Sequence, residues 1–211
     1  MYEYYKFDLV PLRYSFGALE PWIDAATLYI HHSKHLGGYV SSLNAVLSKY
    51  PSLQKWPLEK LIKNYRSLPK EIQTSVKNNA GGVYNHNLFF NIMGPSEPGY
   101  PTDSLAAAIE QSFGSMEDFK KEFSENALRV FGSGYTWLAL NGYGKLNIVN
   151  TSNQDTVLTL NLYPVLLIDV WEHAYYLKYR SSRAEYIDNW FHAVNWEGVQ
   201  AYYNYFMAHN R

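Results

Sequence analysis

The hydrophobic period changes once along this chain, at a segment that neither a helix nor a strand can cross. Residues 94–103, GPSEPGYPTD, hold three prolines and two glycines in ten positions. Each proline fixes its backbone and removes a hydrogen-bond donor, so this is the place for a boundary. Before it, from about Asp24, residues Ala25, Leu28, His32, Leu36 and Tyr39 recur at helical spacing. Val40, Leu43, Val46 and Leu47 continue the run until Pro51 ends it. Gly37 and Gly38 weaken it, at about 1 kcal/mol each against alanine. A short polar helix is predicted over 58–65 and a long one over 70–93. After the boundary, DSLAAAIEQSF and SMEDFKKEFSENALRVF read as two amphipathic helices, with Ser115 as N-cap of the second.

Then the period shortens. GYTWLALN, KLNIVNTSN and PVLLIDVWE read as three strands in a small meander, the first two joined by a hairpin turn at NGYGK. The aromatic tail, 183–210, returns to helix. The order predicts an α+β protein, divided into residues 1–94 and 95–211.

Composition excludes several classes. With no cysteine, thiolate metal sites, iron–sulfur clusters and disulfides are out, so any metal must be held by nitrogen and oxygen. The net charge of −1 argues against a nucleic-acid partner. The chain has no run of roughly 20 apolar residues, the length a spanning helix needs, and no signal segment, so neither a membrane nor an export route is expected. The expected location is the cytoplasm. The 20 tyrosines need partners for their hydroxyls, which places many at interfaces or polar pockets.

Three places could carry chemistry. IHHSKHLGGY sets His31 and His35 four apart on one helical face, with His32 pointing elsewhere. This is either a polar face or a pair chelating one metal. His86 lies in the apolar stretch GGVYNHNLFF, as a hydrogen-bonded core histidine or as a ligand. Asp169 ends the apolar run LLID, with His173 four residues on. A buried carboxylate there needs a positive partner such as a metal ion, unless it caps the next helix. Three imidazoles and a carboxylate without sulfur suit manganese, iron or zinc.

IHHSKHLGGYV, NNAGGVYNHNLFF, FGSGYTWL, NTSNQDT and DVWEHAYYLKYR follow one another in the order and spacing of a known family. The chain resembles the iron/manganese superoxide dismutases from about Tyr5 to Tyr203, least between Pro51 and Gln73. The resemblance implies an N-terminal helical hairpin followed by an α/β domain with a three-stranded antiparallel sheet. It implies His31, His86, Asp169 and His173 as metal ligands, which removes His35 from the pair that spacing suggests. It implies a role for His35 beside the site, reaching Tyr176 of the partner subunit, and leaves His32 solvated. Tyr39 and Gln154 are implied to serve the proton relay, Tyr39 at the substrate channel and Gln154 on solvent at the metal. Trp171 and Tyr135 are implied to wall the site. Glu172 is implied to bridge to His173 of the partner subunit, and Arg183, with Lys34 nearby, to draw in the anion. The implied function is dismutation of superoxide to dioxygen and hydrogen peroxide by one redox-cycling ion per subunit. That rules against zinc, which lacks adjacent oxidation states.

Gly82 stands where iron-type enzymes carry glutamine, and Gln154 occupies the sheet position of manganese-type enzymes. Manganese is therefore expected, with iron as the alternative, in a homodimer, and association of two dimers into a tetramer is left open. Two positions depart from the usual pattern: Tyr135 stands where the family generally has tryptophan, and Trp22 where histidine is common. The rival readings are a metal-binding protein on the same fold with little activity, and a di-metal carboxylate helical protein. The latter needs paired Glu-x-x-His motifs on facing helices, which this sequence lacks.

Overall fold

A computed structural model of the chain describes residues 4–95 and 99–209. The boundary segment thus lies partly, and Asn210 wholly, outside the described residues. The first long helical run is interrupted: α1 (Ala25–Tyr29) passes into a π-helical turn (Ile30–Leu36) and then into α2 (Gly37–Leu47). Asp24 caps its start by accepting from the Thr27 amide at 2.9 Å. Gly37–Gly38 opens α2 instead of breaking the helix. α3 (Leu58–Lys63) leads by a short 3₁₀ turn to α4 (Lys70–Asn91), which packs against α2. Asn44 fastens the N-terminal segment to α2 by bonding both the amide and the carbonyl of Phe7, at 2.9 and 2.8 Å.

Beyond the boundary come α5 (Asp103–Phe113) and α6 (Met116–Arg129). Ser115 caps α6, accepting from the Asp118 amide. β1 (Gly134–Leu140), β2 (Leu146–Ser152) and β3 (Tyr163–Asp169) form an antiparallel sheet. The predicted meander is corrected: the order is β2-β1-β3, with β1 central. β1 is buried along its whole length, and β3 along nearly all of it. β2 is only partly buried, as a half-covered edge strand is. α7 (Tyr176–Tyr179), α8 (Arg183–Trp190) and α9 (Trp196–His209) complete the chain. A 3₁₀ turn and an extended residue, Val194, divide the predicted helical tail in two. α6 covers β1 and β2, while α4 and α9 reach β3. One continuous apolar core therefore joins the N-terminal helices to the sheet. Among the described residues no helix is long and apolar enough to cross a membrane.

Candidate metal centre

Four elements deliver one donor each to the same point. His31 comes from the π-helical turn, His86 from α4, Asp169 from the end of β3, and His173 from the 3₁₀ turn Glu172–Ala174. Asp169 Oδ2 lies 3.2 Å from His31 Nε2, 3.5 Å from His173 Nε2 and 3.9 Å from His86 Nε2. All four donor atoms fall within 4.8 Å of one another. None of the four has a hydrogen-bond partner, although each is buried. Orphaned buried donors carry a full desolvation cost. Four of them aimed at one point fit a cation there.

The surroundings prepare the donors. His86 Nδ1 lies 2.7 Å from the Gly82 carbonyl, which accepts its proton and turns the Nε2 lone pair inward. Burial first, then the neighbouring imidazoles, pushes His31 down to about 4 and His86 well below its usual value, so both stay neutral near pH 7. Burial alone would raise the Asp169 carboxyl. The imidazoles of His173 and His31 outweigh it and hold Asp169 below the ordinary carboxylate range. Asp169 Oδ1 also accepts the Trp171 amide at 2.8 Å, ahead of the 3₁₀ turn that Trp171 itself caps, so its two oxygens serve the backbone and the donor cluster separately.

Beside the donors runs a chain of polar side chains. Gln154, just past β2, donates from Nε2 to the Tyr39 hydroxyl at 3.1 Å. Its Oε1 accepts from Tyr135 at 3.0 Å and from Asn85 at 3.2 Å. Two donors on one oxygen determine which way the amide points. Sheet register sets Tyr135 on β1 directly opposite Asp169 on β3. A Cβ on Gly82 would stand 2.5 Å from the Tyr39 ring, and one on Gly81 would strike the Gln154 carbonyl. The two glycines of α4 are what let Tyr39 and Gln154 come this close.

The other predicted residues are placed as follows. His35 is half-buried outside the four-donor cluster, stacked on His173 with ring centroids 4.0 Å apart. Trp171 also stacks on His173, with ring centroids 5.4 Å apart. Glu172 and Tyr176 are exposed in this chain. Arg183 directs its guanidinium to the carbonyls of Val130 and Gly132, at 2.6 and 3.0 Å, and to the Tyr175 hydroxyl at 3.1 Å. Lys34 is exposed beside the Tyr29 ring. Trp22 stacks on His192 at 4.2 Å, away from the donors. One expectation is overturned: His32 is not solvated but 6 % exposed, its Nε2 2.7 Å from the Val10 carbonyl. The π-helical turn, whose bonds run five residues back, lets consecutive histidines both face inward. Sequence reasoning missed Asn85, which is fully buried. Its only signal was an amide amid the apolar residues of VYNHNLFF.

A buried set of three imidazoles and one carboxylate, shared between a helical pair and a sheet, defines a mononuclear metalloprotein without sulfur ligands. Comparison with known proteins narrows the class. The family model for the iron/manganese superoxide dismutase alpha-hairpin domain matches residues 6–94, and that for the C-terminal domain matches residues 101–202. A manganese superoxide dismutase of Leptolyngbya boryana is 48 % identical over 92 % of this chain and 79 % of its own length. One of Bacillus cereus is 47 % identical, covering 94 % and 95 %. One of Thermus thermophilus is 43 % identical, covering 94 % and 98 %. The chain belongs to the iron/manganese superoxide dismutases, enzymes that dismute superoxide at a metal centre.

Proposed function

We propose that the chain works as a manganese superoxide dismutase, with His31, His86, Asp169 and His173 holding one ion per subunit. The observation that supports this reading is the set of four buried, unpartnered donor atoms within 4.8 Å of one another. Neutral imidazoles and an ionised carboxylate suit a divalent or trivalent first-row ion. Two features favour manganese over iron. Gly82 carries no side chain, the Tyr39 ring lying over it, so the glutamine beside the donors is Gln154 from the sheet side, and the relatives carry manganese in their names. The division near residue 94 is part of the proposal: it puts two donors on each side, so the site ties the two parts together.

When bound, the ion supplies two adjacent oxidation states, accepting an electron from one superoxide and returning it to a second. The protein supplies protons and orientation. Tyr39 Oη accepts from Gln154 and so keeps its own O–H free to donate toward the incoming anion. Burial, only partly offset by the bond from Gln154, raises the Tyr39 hydroxyl above its usual value, so it holds its proton at neutral pH. Tyr135 and Asn85 hold Gln154 by its oxygen, which keeps the amide NH₂ turned toward Tyr39. Tyr135, standing where the family generally has tryptophan, thereby brings a hydroxyl donor to Gln154. His35 and Trp171 both stack against the ring of His173 and limit its tilt.

The same reading includes a homodimer. Exposed Glu172 and Tyr176 flank the His173 turn and are left free to reach His173 of the partner subunit and His35 of the partner subunit, respectively. Arg183, with its donors on Val130 and Gly132, braces the loop carrying the fully exposed Phe131.

Metal analysis of the native protein, paired with superoxide decay after reconstitution with manganese or iron, tests this. Turnover with manganese and little with iron is expected. Activity with iron alone would overturn the choice of metal, and a protein that binds neither ion would overturn the ligand set.

A further inference from the structure

Net charge is an average, and here it hides one strongly basic lobe. Residues 49–77, the connection from α2 through α3 into α4, carry seven of the chain's 18 lysines and arginines against two acidic residues. The remainder of the chain is net acidic. Lys49, Lys55, Lys60, Lys63, Arg66 and Lys70 are all exposed, and none forms an ion pair among the described residues. The seventh cation, Lys77, is paired with Asp155 at 2.5 Å.

The lobe is folded, so the backbone that carries its charges is held in place. α3 buries Leu58, Leu61 and Ile62, which turns Lys60 and Lys63 outward. Gln73 donates to the carbonyls of Arg66 and Leu68, at 2.9 and 2.8 Å, closing the connection onto α4. Tyr50 donates to Glu71 at 3.1 Å, engaging one of the two acids present. Lys60 Nζ lies 4.2 Å over the Trp56 ring, and the Arg66 guanidinium 5.6 Å over Tyr65.

We propose that residues 49–77 form a docking surface for double-stranded nucleic acid, held through phosphate contacts without reading of sequence. Unpaired cations concentrated in one folded stretch match the dense charge of a duplex and gain from counterion release. No exposed large hydrophobic residue lies in the lobe, so it lacks the apolar anchor that a bilayer surface requires. The aromatic rings are half-buried and Trp56 is covered by Lys60, which denies bases a free face for stacking. α3 has only six residues, too short to lie along a groove and read it.

Fluorescence anisotropy of a labelled random-sequence duplex, titrated with the metal-loaded full chain, tests the proposal. With about four phosphate contacts, affinity should fall about 100-fold between roughly 50 and 200 mM salt. A Lys60→Glu/Lys63→Glu/Arg66→Glu variant should bind at least about 10-fold more weakly, because each lost cation removes a phosphate contact. Its superoxide turnover should match the parent's, which also reports that it folds. If charge reversal disturbs folding, the Gln triple variant serves, with the same loss expected. Absence of salt-dependent binding, unchanged binding by a folded variant, or tighter binding to phosphatidylserine vesicles than to the duplex would overturn the assignment.

Discussion

His31 and His32 are neighbours with opposite duties, and the difference lies in what each ring nitrogen faces. His32 meets the Val10 carbonyl and helps seat the N-terminal segment, whereas His31 Nε2 faces only the other donors. His86→Ala should therefore abolish bound metal and turnover. His32→Ala should retain metal but lose about 1–2 kcal/mol of stability, the range for a buried hydrogen bond left half-made. Metal analysis with denaturant unfolding separates the two, and metal loss in the His32 variant would move that residue into the ligand set. At this scale residue type was legible in the sequence, since imidazoles and a carboxylate in apolar surroundings announce a need for partners. Role was less so. Spacing paired His31 with His35 because it assumed an α-helix, and the widened π-helical turn changes which side chains line up.

At the scale of elements, α4 acts as the wall against which the site is assembled. Its Gly81 leaves room for the backbone of Gln154, and its Gly82 for the Tyr39 ring. Gly81→Ala forces apart two backbones and not merely a flexible side-chain end. It should cost about 1–3 kcal/mol, as overpacking does, and should lower turnover by shifting Gln154 from Tyr39. Thermal unfolding and steady-state kinetics check this, and an unchanged melting temperature with unchanged turnover would refute it. Helices and strands themselves were largely legible, because caps such as Ser115, breakers such as Pro51 and the change of period are local signals. The glycine pair illustrates what was not. In a helix read alone Gly81 and Gly82 look like weak points, and their value depends on a residue from the sheet side of the molecule.

For the whole molecule, the buried donor cluster makes the metal-free fold sensitive to acid. Burial pushes His31 down to about 4, while in the unfolded chain it titrates near its usual 6.5. Between those values the unfolded chain binds a proton that the folded chain refuses, so stability falls as pH drops through that window. His31 alone accounts for about 2 kcal/mol by about pH 5, and His86 acts in the same direction. Asp169, held below the ordinary carboxylate range, extends the loss to lower pH. Calorimetry of the metal-free protein should show a falling melting temperature from about pH 7 to 5, and a flat profile would contradict the burial of neutral imidazoles. Bound metal should raise the melting temperature throughout, because it binds only the folded arrangement.

The amino-acid sequence by itself determined the helical first half, the three short strands, the exclusion of sulfur ligands and the kinds of donor available. All of these follow from composition or from spacing over a few residues, where the backbone period dictates which side chains share a face. Tertiary structure alone decided the strand order β2-β1-β3, the facing of Tyr135 and Asp169 across it, the inward turn of both His31 and His32, and the meeting of four donors. Those outcomes depend on how separate elements bury apolar faces against one another, a condition that no local pattern records.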